Sequence, residues 1–217
     1  SFVFRVVLLP SDLPMLNTRS MPVIKYLGGQ SGVYRIRDEI EANYQINDQG
    51  WNSGHKAYSL HKITGKLRIC VIGDSYIEAL QVNHKKSVSE HLESYLTPLV
   101  DSVYRFGISG APLSHYLFLL RNEVSEYSPD IVVVNIVHND ILESIAPVSA
   151  GTYSSSIARL EFSQDEVIGL KQPQPYESSI TARLKQTATF RYLWVRQQVR
   201  PQKLKRLWMR WSNSSDN

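Results

Sequence analysis

The feature that most constrains this chain is residues 67–81, Leu-Arg-Ile-Cys-Val-Ile-Gly-Asp-Ser-Tyr-Ile-Glu-Ala-Leu-Gln. Residues 67–72 form a short, mostly apolar run rich in β-branched side chains, which suits a strand buried on both faces of a parallel sheet. Gly73 supplies a turn, and Ile77 and Leu80, three apart, share one face of a following helix. Ser75 therefore falls where a strand hands over to a helix, at the carboxyl edge where open α/β sheets bind ligands. Two readings stand side by side. Asp74 or Ser75 can be a plain N-cap, or Ser75 can present its hydroxyl while its own N–H joins the unpaired donors of a helix start.

The pattern downstream is regular. Val88, Leu92, Leu96 and Leu99 predict a helix over 87–99 that ends near Pro98. A strand follows at 103–106, then the loop Gly107-Ile108-Ser109-Gly110-Ala111-Pro112. Leu113, Leu117, Leu120 and Val124 predict a helix over 113–127, broken by Ser128-Pro129-Asp130, and 131–137 reads as the strongest strand in the chain. Strands alternating with helices imply right-handed crossovers and a parallel sheet covered by helices on both faces.

With 217 residues, one elaborated domain is expected rather than two equal ones. Residues 1–64 read as an irregular lead-in packed on the core, with 34–36 a brief strand. Residues 65–145 read as the α/β core. Residues 146–217 read as a loop and basic helical tail, with strand pieces at 157–162 and 167–170. Trp51, set among turn residues, is expected either as a buried anchor or as a sugar-stacking, substrate-binding platform. The net charge of +4 is unevenly placed. Residues 181–217 hold nine Lys or Arg and one acid, whereas residues 1–180 hold fifteen bases and nineteen acids. A mildly acidic body does not suggest nucleic-acid binding. The basic tail, with Trp194, Trp208 and Trp211, reads as a solvated helical face or as a surface that meets a membrane or partner. Cys70 is the one cysteine and reads as a buried small hydrophobe. The apolar opening of residues 1–10 is too short to span a bilayer; it reads as a first strand or as the cut end of an anchor or signal segment.

Three loops thus share one predicted edge: Gly73-Asp74-Ser75, Gly107-Ile108-Ser109-Gly110 and Val137-His138-Asn139-Asp140. Ser75 can act as a nucleophile. The N–H groups of Ser75 and Gly110 and the amide of Asn139 can make an oxyanion hole. In order and spacing, these blocks resemble the first three sequence blocks of the SGNH (GDSL-type) hydrolases. Residues 34–64 are similar to the lead-in of bacterial members linked to surface-polysaccharide modification. The resemblance implies a three-layer α/β/α fold, incomplete here at its C-terminal end, and an esterase or O-acyltransferase acting on an acylated carbohydrate, with no metal or organic cofactor. Carried over by position, it makes Ser75 the nucleophile and Gly110 and Asn139 oxyanion donors. Asp74 then organises the turn, and Asp140 caps the next segment or holds the Asn139 loop.

The chain departs from that family in one respect. The family takes its general base from an Asp-x-x-His near the C-terminus, and no histidine follows His138 here. A serine hydroxyl without a base is a weak nucleophile. Three expectations compete, the first being a fragment that stops before the base, which the non-Met first residue and the fading pattern after Glu143 favour. Otherwise His138 serves as base, or the domain only binds. His55, His61, His84, His91 and His115 read as surface or satisfied-core residues.

Overall fold

The computed structural model describes residues 8–19, 22–145, 154–177 and 180–199. The sequence features at 1–7, most of the loop expected at 146–156, and the tail beyond 199 with Trp208 and Trp211 lie outside them. The architecture is mixed α/β. At its centre is a three-stranded parallel sheet of β3 (Leu67–Gly73), β4 (Val100–Gly107) and β5 (Ile131–Val134), in the order β4-β3-β5. Two antiparallel hairpins accompany it: β1 (Ser31–Ile36) with β2 (Ile40–Gln45), and β6 (Arg159–Ser163) with β7 (Glu166–Lys171).

β3 is paired on both edges, with Cys70 facing Tyr104 on one side and Val132 on the other. Its side chains alternate between two apolar clusters, as a pleated strand requires. Ile69 and Val71 pack with Val100 and Val103 and with Leu92 and Leu96 of α2 (Val88–Leu96). Cys70 and Ile72 pack with Phe106 and with Tyr116 and Leu119 of α3 (Leu113–Asn122). A helix therefore lies against each set of β3 side chains.

Arg68 interrupts the apolar run, yet it is fully buried. Its guanidinium pairs with Asp101, donates to the carbonyls of His61 at 2.7 Å and Tyr127 at 2.9 Å, and lies 5.2 Å from the centre of the Tyr104 ring. A buried cation is tolerated when its donors are used in this way.

The lead-in is more ordered than its sequence suggests. The expected irregular stretch contains the β1–β2 hairpin, in which Ala42 and Tyr44 turn inward while Glu41 and Asn43 face out. Val23, Tyr26, Tyr44, Ile46, Trp51 and Tyr58 belong to the same apolar cluster as Phe106 and Tyr116, so lead-in and sheet share one core. β5 is shorter than expected and more exposed. It ends at Val134, and Ile131, Val133 and Val134 are each about two-fifths exposed. Among the described residues it pairs only with β3. The helix expected over 113–127 divides at Glu123, continuing as a tighter turn at Val124–Tyr127.

Trp51 has no exposed surface. Its indole N–H donates to Glu123 at 3.2 Å, and its ring meets Phe106 edge-on with centroids 5.3 Å apart. Glu123 also receives Lys25 at 2.8 Å. The reading of Trp51 as a sugar-stacking, substrate-binding platform is therefore set aside, because stacking needs a free ring face. Replacing Trp51 by Ala is expected to cost about 3–5 kcal/mol of stability. Urea unfolding with an unchanged m-value would measure this, and a loss below about 1 kcal/mol would contradict the anchor role.

Candidate functional site

Parallel pairing sends β3, β4 and β5 out at one edge. Gly73 and Gly107 end their strands side by side, and just beyond, the Asn135 N–H still donates to the Ile72 carbonyl at 2.9 Å. The three loops singled out in the sequence follow these ends. The first becomes α1 (Ser75–Glu78), a single turn laid across the end of β4. The approach is so close that any Cβ on Gly107 would collide with the backbone of Ile77 and Glu78. Only glycine fits there.

Asp74, not Ser75, is the cap. Its carboxylate accepts the Tyr76 N–H at 3.0 Å, leaving Ser75 as the first helical residue. Ser75 is partly exposed, and the contact of its hydroxyl with Asp74 is long, at 3.5 Å. Asp74 thus takes the capping role, and Ser75 does not. α1 closes at Ala79, whose φ of 53° lies in the left-handed region that side chains disfavour.

Gly110 also has a positive φ, 76°, but nothing within 4 Å would meet a Cβ there. Glycine serves the turn at this position, and the space beside it is open. Ser109, just before it, is tied to Glu78 of α1. The Ser109 N–H donates to the Glu78 carboxyl at 3.1 Å and the Ser109 hydroxyl forms a short hydrogen bond to it.

His138, Asn139 and Asp140 open α4 (His138–Ile145). His138 is exposed and Asn139 half-buried, with the Asn139 amide donating to Glu143 one turn on at 2.9 Å. Asp140 is fully buried. Its Oδ2 accepts the Val137 N–H at 2.8 Å and the Tyr116 hydroxyl at 2.9 Å, fastening the loop to α3. Burial, followed by the hydrogen bond to Asp140, pushes the Tyr116 phenol far above its ordinary range. Tyr116 is therefore a neutral donor.

No histidine nitrogen hydrogen-bonds Ser75 among the described residues. His55 pairs with Glu93 at 2.7 Å, and that hydrogen bond raises its pKa. His84 contacts the Asn43 carbonyl at 3.2 Å. His115 is fully buried, and its Nδ1 accepts the Ala158 N–H at 3.1 Å.

One residue of consequence, Glu78, is not marked by the sequence, and it meets Ser109 of the second loop. Glu78 is buried and bonded to both Ser109 and the Tyr26 hydroxyl. A cleft of about 260 Å³ opens over this pair, lined also by Tyr26, Tyr34, Leu80 and Tyr176. On sequence alone the signal was a lone acid on the same short turn as Ser75, with no visible partner.

The chain matches no protein-family model, no curated protein and no solved structure.

Burial, reinforced by Arg159, lowers the His115 pKa to about 3. The unfolded value is about 6.5, so between these limits the unfolded chain binds a proton that the folded chain refuses. The resulting stabilisation is complete above about pH 6.5 and is lost as the pH falls, at up to about 1.4 kcal/mol per unit. His115→Gln is expected to flatten this part of the dependence. Urea midpoints at pH 7, 6 and 5 test it, and an unchanged slope in the variant would refute the assignment.

Proposed function

We propose that this chain is a serine ester hydrolase or O-acyltransferase of the SGNH type, acting on an acylated carbohydrate through an acyl-enzyme on Ser75. The observation that carries the reading is the convergence of three loops at one end of adjacent parallel strands, with Asp74 capping α1 and leaving the Ser75 hydroxyl free of that task. The alternation of β3 side chains between α2 and α3 supports the three-layer α/β/α arrangement that belongs with it.

In the proposed reaction the Ser75 Oγ attacks the ester carbonyl and its proton passes to a general base. The carbonyl oxygen takes up negative charge facing the N–H groups of Ser75 and Gly110 and the Asn139 amide. The intermediate then collapses with loss of the alcohol, and water or a sugar hydroxyl removes the acyl group from Ser75. Among the described residues, the candidate base at this edge is His138, at the start of α4; a residue outside them is the alternative. The cleft beside Ser109 suits a sugar, because Tyr26, Tyr34 and Tyr176 line it together with the polar residues Glu78, Ser109, Lys185 and Gln186. The basic segment 181–217 is proposed to hold the protein near an anionic membrane surface, through cationic and Trp side chains.

Turnover of p-nitrophenyl acetate and of an acetylated sugar by the product of the complete reading frame tests the proposal, with Ser75→Ala reducing the rate to background. Asn139→Ala is expected to lower kcat by roughly 10²–10³. Equal rates for the wild type and Ser75→Ala would overturn the enzyme reading.

One observation favours a second reading, a carbohydrate- or partner-binding module that does no chemistry: no histidine reaches Ser75 among the described residues. That module would bind glycan equally well after Ser75→Ala, and Ser75 would resist a fluorophosphonate.

A further inference from the structure

We infer that Glu78 is a positioning residue, holding the Ser109–Gly110 loop against the turn that carries Ser75 so that nucleophile and oxyanion donor keep a fixed spacing. The inference rests on the acyl-transfer reading of Ser75. Glu78 lies at the far end of α1 and is about 1% exposed. Its backbone N–H donates to the Asp74 carbonyl at 2.9 Å, which fixes it to the residue that caps Ser75's turn. Its carboxyl reaches outward from that turn. Oε1 accepts the Ser109 N–H at 3.1 Å and the Tyr26 hydroxyl in a short bond, and Oε2 accepts the Ser109 hydroxyl. Its main-chain carbonyl accepts the Asn52 side chain at 2.7 Å. One residue therefore joins the Ser75 turn, the Gly110 loop and the lead-in.

A purely structural explanation of the buried acid is less economical. Placing a carboxyl in the core is costly, and burial raises the pKa of Glu78 against the opposing pull of its Ser109 and Tyr26 hydrogen bonds. An apolar residue of the same size would occupy the same buried position without that cost. What it would not do is grip both donors of Ser109. Gly110, the next residue, is exposed, has a positive φ, and has open space where a Cβ would stand. Because Glu78 already accepts from Ser109 and Tyr26, the carboxyl works as a brace rather than as a ligand waiting for substrate.

The experiment compares wild type, Glu78→Gln, Glu78→Ala and Ser109→Ala, with rates expressed per Ser75 titrated by a fluorophosphonate. Glu78→Ala is expected to lower kcat about 10²-fold with KM changed less than threefold, the size of a lost oxyanion donor. Glu78→Gln keeps the length and an acceptor oxygen, and should recover to within about tenfold of wild type. Ser109→Ala, which removes one of the two donors without touching the core, should fall between them and serves if Glu78→Ala does not fold. Amide exchange across residues 107–111 should quicken at least tenfold in the impaired variants, while that of β3 stays unchanged. The inference is overturned if kcat per titrated Ser75 is unchanged in Glu78→Ala and Ser109→Ala, or if Gln is as impaired as Ala. A wild type that neither turns over ester nor labels at Ser75 overturns the underlying reading as well. Unchanged exchange at residues 107–111 in such a protein overturns the brace by itself.

Discussion

β3 supports the candidate site because it is hydrogen-bonded on both edges and packed on both faces. A strand in that position has no freedom to slip, since moving by one residue would exchange the Ile69–Val71 set with the Cys70–Ile72 set. Parallel neighbours then deliver their chain ends to the same edge. The spacing of Ser75, Gly110 and Asn139 is inherited from the sheet, and the loops need only short connections to reach it.

What the sheet does not supply comes from the lead-in. Trp51 reaches Glu123 at the end of α3, Tyr26 reaches Glu78, and Tyr58 donates to the Arg105 carbonyl of β4 at 2.8 Å. Each is an aromatic ring buried for its area and a polar end spent on the α/β body. The stretch behaves as a clasp over one flank of the sheet rather than as an appended segment, and its removal would strip a side of the core.

Much of this was legible in the sequence where the information was local. β3 and the helix Val88–Leu96 follow from apolar spacing, and Asp74 was one of two candidate caps. β2 is marked in the sequence by Ile40, Ala42 and Tyr44 alternating with polar residues, although glycine and proline upstream make the region look irregular. β5 was overread because a run of valines reports strand propensity but not where pairing stops. Glu78 was not legible. Its partners, Tyr26 and Ser109, lie 52 and 31 residues away, and no local pattern marks a side chain whose meaning is set by tertiary contact.

Cys70 gives the framework a chemical clock. It sits at the middle of β3 with no exposed surface, and burial pushes its thiol up to about 12. A sulfur held as thiol and shut away from solvent is inert to alkylating reagents. It becomes reactive only when the central strand opens, and there is no second cysteine to confuse the signal. The rate at which this one atom is modified therefore measures how often the strand behind Ser75 comes apart.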